Sequence, residues 1–144
     1  MAPEIAPQLE AALRIVQLTN AARWQHSMAE LQVDPSLESA AEAYARDMAE
    51  WDWFGHLGPD GTTMDARAEA AGYLDWVYLA ENLAKGSGEG EPERVVRAWM
   101  ASPGHRDILL SPNPQEMGVG CYANADGDLR FWCVQLFGAR GRPQ

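Results

Sequence analysis

The chain has few basic residues, few cysteines and no long hydrophobic run. Eleven Lys and Arg stand against 21 Asp and Glu, which gives a formal charge of −10. A surface this acidic repels phosphate backbones and anionic headgroups, so it argues against nucleic-acid partners and electrostatic docking on a bacterial membrane. No apolar run approaches the roughly 20 residues that span a bilayer. The sequence therefore predicts no membrane span.

The first residues of the chain do not indicate in which cellular compartment the protein works. Met1–Glu4 has no basic region followed by an apolar stretch, so no signal peptide is visible there. Either the protein is cytoplasmic, or it is exported and its leader has been removed.

The two cysteines, Cys121 and Cys133, flank a turn signal at Asn124–Asp128. If a hairpin centres on Gly127, the two cysteines lie directly opposite each other. Paired positions on antiparallel strands have Cα atoms about 4.5–5.5 Å apart, which fits a disulfide. The alternative is two reduced, buried thiols. A bridge would support an oxidising compartment.

A length of 144 residues suits a single domain over 1–144. A chain of this size buries roughly two-thirds of its unfolded surface and needs no metal or disulfide to fold. Most of the six tryptophans are expected to fill the core, with some lining a groove. Helices early in the chain and strands late in it indicate an α+β layered domain.

Hydrophobic periodicity predicts two long helices. The first covers about Ala6–Met28, with Leu9, Leu13, Val16 and Leu18 as its apolar stripe. The second begins at Asp34-Pro35, a capping residue followed by proline, and ends near Glu50. Its predicted core face comprises Leu37, Ala41, Tyr44, Met48 and Trp51.

Three shorter helices and three strands complete the prediction. One helix is capped by Thr62 or Thr63 and ends before Gly72, and the other two begin at Pro92 and Pro103. Lys85–Gly90 is predicted to be a flexible loop. The predicted strands are Trp76–Leu79, Met117–Ala123 and Leu129–Phe137.

Three short signatures about 25 residues apart carry the functional information: Phe54–His56, Ala80–Leu83 and Trp99–Arg106. They supply two imidazoles and a carboxylate, from His56, Glu81 and His105. Zinc accepts such ligands, and three protein ligands would leave a fourth position open for water. Their spacing along the chain does not itself make them converge, so convergence has to come from the fold.

These signatures, together with Leu18–Arg23 and Trp132–Gly138, resemble the CAP superfamily, also called the SCP or cysteine-rich secretory protein domain, in its bacterial branch. The resemblance covers nearly the whole chain. It implies a three-layer α-β-α sandwich with a small, mostly antiparallel sheet. It also implies export, to an extracellular or periplasmic location. It does not settle function, since this family shares one fold among unrelated activities.

The resemblance implies a cleft with two histidines and two acids. His56 and Glu81 carry over, whereas the position of the second acid holds Ser102. The Ser-Pro-Gly-His pattern of the bacterial branch is present, so His105 is expected to supply the second imidazole. The candidate ligand-binding residues are His56, Glu81, Asn82, Ser102 and His105. The candidate metal ligands are His56, Glu81 and His105, and zinc is the candidate ion.

Three functions remain open. The leading one is a cleft that binds a lipid, a glycan or another envelope component, with a divalent cation as an optional partner. The alternatives are a metal-dependent hydrolase and a non-catalytic scaffold in which the polar residues brace the fold. No catalytic residue is assigned, because Ser102 is expected to use its hydroxyl as a helix cap and the chain has no Gly-x-Ser-x-Gly elbow. His26 is expected to be structural.

Overall fold

A computed structural model describes residues 4–87, 91–124 and 129–141. The helices are α1 (Leu9–Gln25), α2 (Pro35–Trp51), α3 (Met64–Ala70), α4 (Pro92–Ala101) and α5 (Pro103–Leu109). The strands are β1 (Ile5–Pro7), β2 (Gln32–Val33), β3 (Trp76–Ser87), β4 (Glu116–Asn124) and β5 (Arg130–Arg140). None of the helices in the described part of the chain is long and apolar enough to cross a membrane.

The strands form one sheet in the order β1-β4-β5-β3, and β2 pairs with β4 off this path. All pairings are antiparallel except that of β2, which is parallel. β3 is longer than predicted, because Lys85 and Ser87 pair with Trp132 and Arg130 of β5. The predicted loop at Lys85–Gly90 is therefore wrong up to Ser87, since cross-strand pairing outweighs local propensity there. Residues 88–90 lie outside the described residues.

Successive residues of β5 enter two separate cores, which makes the fold three layers deep. Trp132, Val134 and Leu136 pack with α2 and α3 on one face of the sheet. Phe131, Cys133 and Phe137 pack with α1, α4 and α5 on the other. Burial of both faces explains why β5 is almost continuously apolar. The predicted α-β-α sandwich is confirmed.

The first helix differs from its prediction. Residues 5–7 form β1, and the helix starts at Leu9, whose side chain is exposed, as is that of Leu13. The fully buried residues of α1 are Ile15, Thr19 and Arg23. Two of these three are polar, so a search for apolar periodicity could not detect the buried face.

Arg23 illustrates how a charged residue can occupy a core position. Its guanidinium donates to the carbonyls of Ala29 at 2.7 Å, Leu109 at 2.9 Å and Ser111 at 2.8 Å. Burial lowers the pKa of Arg23 from its usual value. The hydrogen bonds offset the cost of removing the charge from water and tie the end of α1 to the end of α5.

The second helix begins as predicted. The Asp34 carboxylate accepts hydrogen bonds from the amides of Ser36 and Leu37, both at 3.0 Å. Of the predicted core face, Leu37, Ala41, Tyr44 and Met48 are buried, but Trp51 is 69% exposed. The exposure arises because the helix ends at Trp51 and the chain turns at Asp52, which has a φ of 49°.

The expectation that most tryptophans fill the core is wrong. Trp99 and Trp132 are buried, one in each core. Trp24, Trp51 and Trp53 are exposed, and Trp76 is half-buried. Three large indoles therefore lie on the surface.

The predicted disulfide is present. Cys121 of β4 pairs directly with Cys133 of β5, and their sulfur atoms are bonded. Both residues are buried in the core that α1, α4 and α5 cover. The predicted turn centred on Gly127 falls at residues 125–128, outside the described residues.

Candidate functional site

The loop over residues 52–63, between α2 and α3, carries His56 and is held mainly through its backbone. The Tyr44 hydroxyl of α2 donates to the carbonyl of Gly55. The guanidinium of Arg67, from α3, donates to the carbonyls of His56 and Thr62, each at 2.9 Å. Two neighbouring helices thus fix the path of the loop before any ligand is bound.

His56 and Glu81 meet as predicted. Nδ1 of His56 lies 2.8 Å from Oε1 of Glu81, which projects from β3. The Glu81 side chain is 2% exposed, whereas that of His56 is 63% exposed. A carboxylate only accepts hydrogen bonds, so Nδ1 is the donor in this contact, and in the neutral form of the ring Nε2 is an acceptor. A buried charge therefore orients an imidazole that solvent and ligands can reach.

Arg67 is a third member of this site. Its Nη2 lies 3.1 Å from Oε2 and 3.4 Å from Oε1 of Glu81, and its side chain is only 10% exposed. Its guanidinium also lies 3.5 Å from the centre of the Tyr44 ring. Burial raises the pKa of Tyr44, an effect that the neighbouring Arg67 partly opposes, so its hydroxyl stays protonated and donates. A buried carboxylate is tolerable because this cation neutralises it.

Sequence reasoning missed Arg67. It belongs to a short helix in which one arginine between two alanines is ordinary, and nothing local marks it as buried. One general indication was available: a glutamate expected in a cleft needs a cation if it becomes buried.

Beside this cluster lies a cleft of about 460 Å³. The polar side is formed by His56, Glu81, Thr63 and Asp65, and the apolar side by Leu57, Met64 and Ile108. Such a surface combines a hydrogen-bonding end with a hydrophobic wall. It can hold a small amphiphilic molecule.

His105 is connected to the cluster through the backbone. Its carbonyl accepts a hydrogen bond from Nδ2 of Asn82 at 3.3 Å, and Asn82 is fully buried next to Glu81. Its Nδ1 lies 2.9 Å from Oγ of Ser102. Ser102 occupies the capping position of α5, but its hydroxyl makes no capping bond, so the expectation that the hydroxyl is committed to backbone amides is wrong.

The three candidate metal ligands do not fit a zinc site as they are arranged. Both oxygens of Glu81 already bond to Arg67, and Oε1 also bonds to His56, so a second cation would face the guanidinium at close range. Within the described residues, no group of three or more His, Cys, Asp or Glu is placed to hold a metal ion. The donor set suits hydrogen bonding better than coordination.

Comparisons with known proteins agree with this fold. The profile of the cysteine-rich secretory protein family (CAP) matches residues 16–137. YkwD, an uncharacterized protein of Bacillus subtilis, is 35% identical over 126 residues, which are 87% of this chain and 46% of YkwD. YlbC, an uncharacterized membrane protein of the same organism, is 32% identical over 74% of this chain and 30% of its own length. The chain thus spans less than half the length of these relatives.

Two solved structures share this fold. An outer surface protein from Borrelia burgdorferi superposes with a TM-score of 0.84 at 27% identity, over 96% of this chain and 99% of its own. An extracellular protein of Bacillus anthracis with an SCP domain superposes with a TM-score of 0.77 at 25% identity. That match covers 93% of this chain and 41% of the other.

Proposed function

The chain belongs to the cysteine-rich secretory protein (CAP) family, and from that premise we propose that it is an extracellular ligand-binding domain without catalytic activity. Its ligand is an amphiphile that carries a hydroxyl group. The observation that carries this proposal is the exposed imidazole of His56, held in place by the almost fully buried Glu81. The exported location is supported by structural neighbours described as an outer surface protein and an extracellular protein.

The chemistry of the cleft supports a hydroxyl-bearing ligand. Because Nδ1 of His56 donates to Glu81, the other ring nitrogen of a neutral imidazole can accept a hydrogen bond from a ligand hydroxyl. Leu57, Met64 and Ile108 then cover the apolar part of the ligand. A lipid with a hydroxylated headgroup satisfies both sides of the cleft, and a glycan satisfies the polar side.

A hydrolase has weaker support. Ser102 and His105 are close enough to act as nucleophile and base, but within the described residues no acid bonds to the far side of that imidazole. A metal-dependent mechanism would need Glu81 to leave Arg67. Ligand binding without catalysis requires neither an acid behind His105 nor the separation of Glu81 from Arg67.

We expect a short-chain monoacylglycerol, used as the probe, to bind the wild-type protein in calorimetry. His56→Ala should weaken this binding at least tenfold, since it removes the acceptor for the hydroxyl. The melting temperature should fall by only a few degrees because His56 is largely exposed. The matched control is His26→Ala, which removes a histidine whose Nδ1 bonds to Ala22 at the end of α1.

Three outcomes would contradict the proposal. Equal affinity of the wild type and His56→Ala would leave the cluster as a brace of the fold. Equal binding of the same lipid with its hydroxyls methylated would remove the role of the hydroxyl. A single zinc site, lost in His56→Ala, would favour the metal alternative.

A further inference from the structure

A second cavity of about 460 Å³ lies where the loop over residues 52–63 meets the end of α2. Its lining residues are Asp47, Trp51, Trp53, Pro59 and Asp60, none of which lines the cleft at His56. We propose that this cavity binds an organic ammonium ion, held against the indoles of Trp51 and Trp53 and by the carboxylates of Asp47 and Asp60. The proposal does not depend on the function proposed for the His56 cleft.

The two indoles are exposed, and the turn that carries them is anchored. Trp51 is 69% exposed and Trp53 is 39% exposed. Between them, Asp52 pairs with Arg130 at 2.9 Å and with Lys85 at 3.4 Å, which ties the turn to β5 and β3. Nε1 of Trp53 donates to the carbonyl of Leu57 at 2.8 Å. The indole of Trp53 is therefore positioned before a ligand arrives, which lowers the entropy cost of binding, and the turn beside Trp51 is anchored.

The cavity is negatively charged, and the nearby basic residues are paired elsewhere. Arg46 pairs with Glu50 at 2.9 Å, and Arg67 pairs with Glu81 at 3.1 Å. Within the described residues, no Lys, Arg or His makes an ion pair with Asp47 or Asp60. In the described part of the chain, two carboxylates thus share one cavity and neither forms an ion pair.

The environment of Asp47 also favours a cation. Partial burial raises its pKa, and the negative charges of Glu50 and Asp60 raise it further, against the smaller opposing effects of Arg46 and Arg67. Asp60 differs, because hydrogen bonds from the hydroxyl and amide of Thr62 lower its pKa and keep it ionised. A positively charged ligand would relieve the repulsion between these carboxylates.

The chemistry of the walls selects an organic ammonium over a metal ion. Indole faces attract cations through their negative quadrupole and also provide apolar contact for methyl or methylene groups. A divalent metal instead needs about six or more oxygen ligands, of which this cavity offers only the carboxylates of Asp47 and Asp60; among the described residues no group of three or more His, Cys, Asp or Glu is placed to hold a metal ion. The overall charge of −10 raises the local concentration of any cation near the surface.

Choline is a suitable probe, and its neutral isostere, with carbon in place of nitrogen, is the matched control ligand. We expect choline to shift the indole N–H resonances of Trp51 and Trp53 saturably in two-dimensional NMR. The isostere should bind at least roughly fivefold more weakly, since it keeps the shape and loses the charge.

Two variants and two controls locate the site. Trp51→Ala should weaken choline binding about three- to fivefold, the loss expected for one exposed cation–π contact. Asp47→Asn should weaken it as well. Trp24→Ala removes an exposed indole from α1, and Glu10→Gln removes an exposed charge from the same helix; both should leave the affinity unchanged.

The proposal is overturned if choline and its isostere bind equally, or if choline produces no saturable shift. It is also overturned if Trp51→Ala binds choline like the wild type in a protein that keeps its melting temperature. Shifts of the same two indoles with chitotriose but not with choline would identify a sugar site instead.

Discussion

At the scale of single residues, the dominant feature is Glu81, a carboxylate placed in the interior. Removing a carboxylate from water costs several kcal/mol, and this cost is offset only if partners saturate its oxygens. Arg67 and His56 do so at 2.8–3.4 Å. Arg67 also bonds to two carbonyls of the loop over residues 52–63, so the same guanidinium neutralises the buried charge and shapes the cleft.

We therefore expect Arg67→Ala to lower the free energy of unfolding by roughly 3–5 kcal/mol at neutral pH, because Glu81 would stay buried without its guanidinium partner and keep only the hydrogen bond to His56. Urea denaturation of the wild type and the variant measures this difference in the free energy of unfolding. The control is Arg46→Ala, which breaks the exposed pair with Glu50 and should lower the free energy of unfolding far less, since solvent screens that pair.

The double variant Arg67→Met with Glu81→Gln should be more stable than Arg67→Ala, since it removes the buried carboxylate charge that has lost its guanidinium partner. Equal stability of Arg67→Ala and Arg46→Ala would contradict this account of the site.

At the scale of elements, α2 approaches the sheet so closely that β4 carries glycine at the contacts. A Cβ on Gly118 would lie 2.2 Å from the amide nitrogen of Glu38, and one on Gly120 would lie 2.4 Å from Cα of Glu42. Both obstacles are backbone atoms, which cannot move without shifting the whole helix.

Gly118→Ala is expected to destabilise the protein by at least roughly 2–3 kcal/mol, as overpacking does when the obstacle is rigid. Gly104→Ala is the matched control: its Cβ would meet nothing within 4 Å, and it lies in α5. Alanine there should be neutral or stabilising by up to about 1 kcal/mol. Thermal unfolding of both variants tests the difference, and similar melting temperatures would refute the close approach.

The elements also show how far the sequence alone could lead. The sequence predicts the Asp34 cap of α2, the disulfide and the order of the helices, because capping and strand pairing are local signals. It predicts the His56–Glu81 contact through the family resemblance. The buried face of α1 is not predicted, because polar residues satisfied by distant partners fill it. Arg67 was missed for the same reason: its burial depends on contacts that only the fold creates.

At the scale of the whole molecule, two cores lie on opposite faces of one sheet and share β5. Trp132 belongs to one core and Trp99 to the other. Neither core can lose β5 without disrupting the other. The single domain predicted from chain length remains a prediction, and this arrangement supports it.

Two variants in which Phe replaces every tryptophan except Trp99 or except Trp132 each retain the indole of one core, so their fluorescence should report that core during urea unfolding. We expect each variant's fluorescence midpoint to coincide with its midpoint by circular dichroism, as in two-state unfolding. Different midpoints for the two measurements in either variant would mean that one layer opens without the other.

The loop over residues 52–63 has a consequence for how this domain can diversify. Tyr44 and Arg67 donate hydrogen bonds to its backbone carbonyl oxygens, which every amino acid possesses. The exposed side chains of Leu57, Pro59 and Asp60 take no part in those contacts, yet they line the two cavities. Substitution of these side chains can therefore change the lining of both cavities and leave the hydrogen bonds from Tyr44 and Arg67 in place.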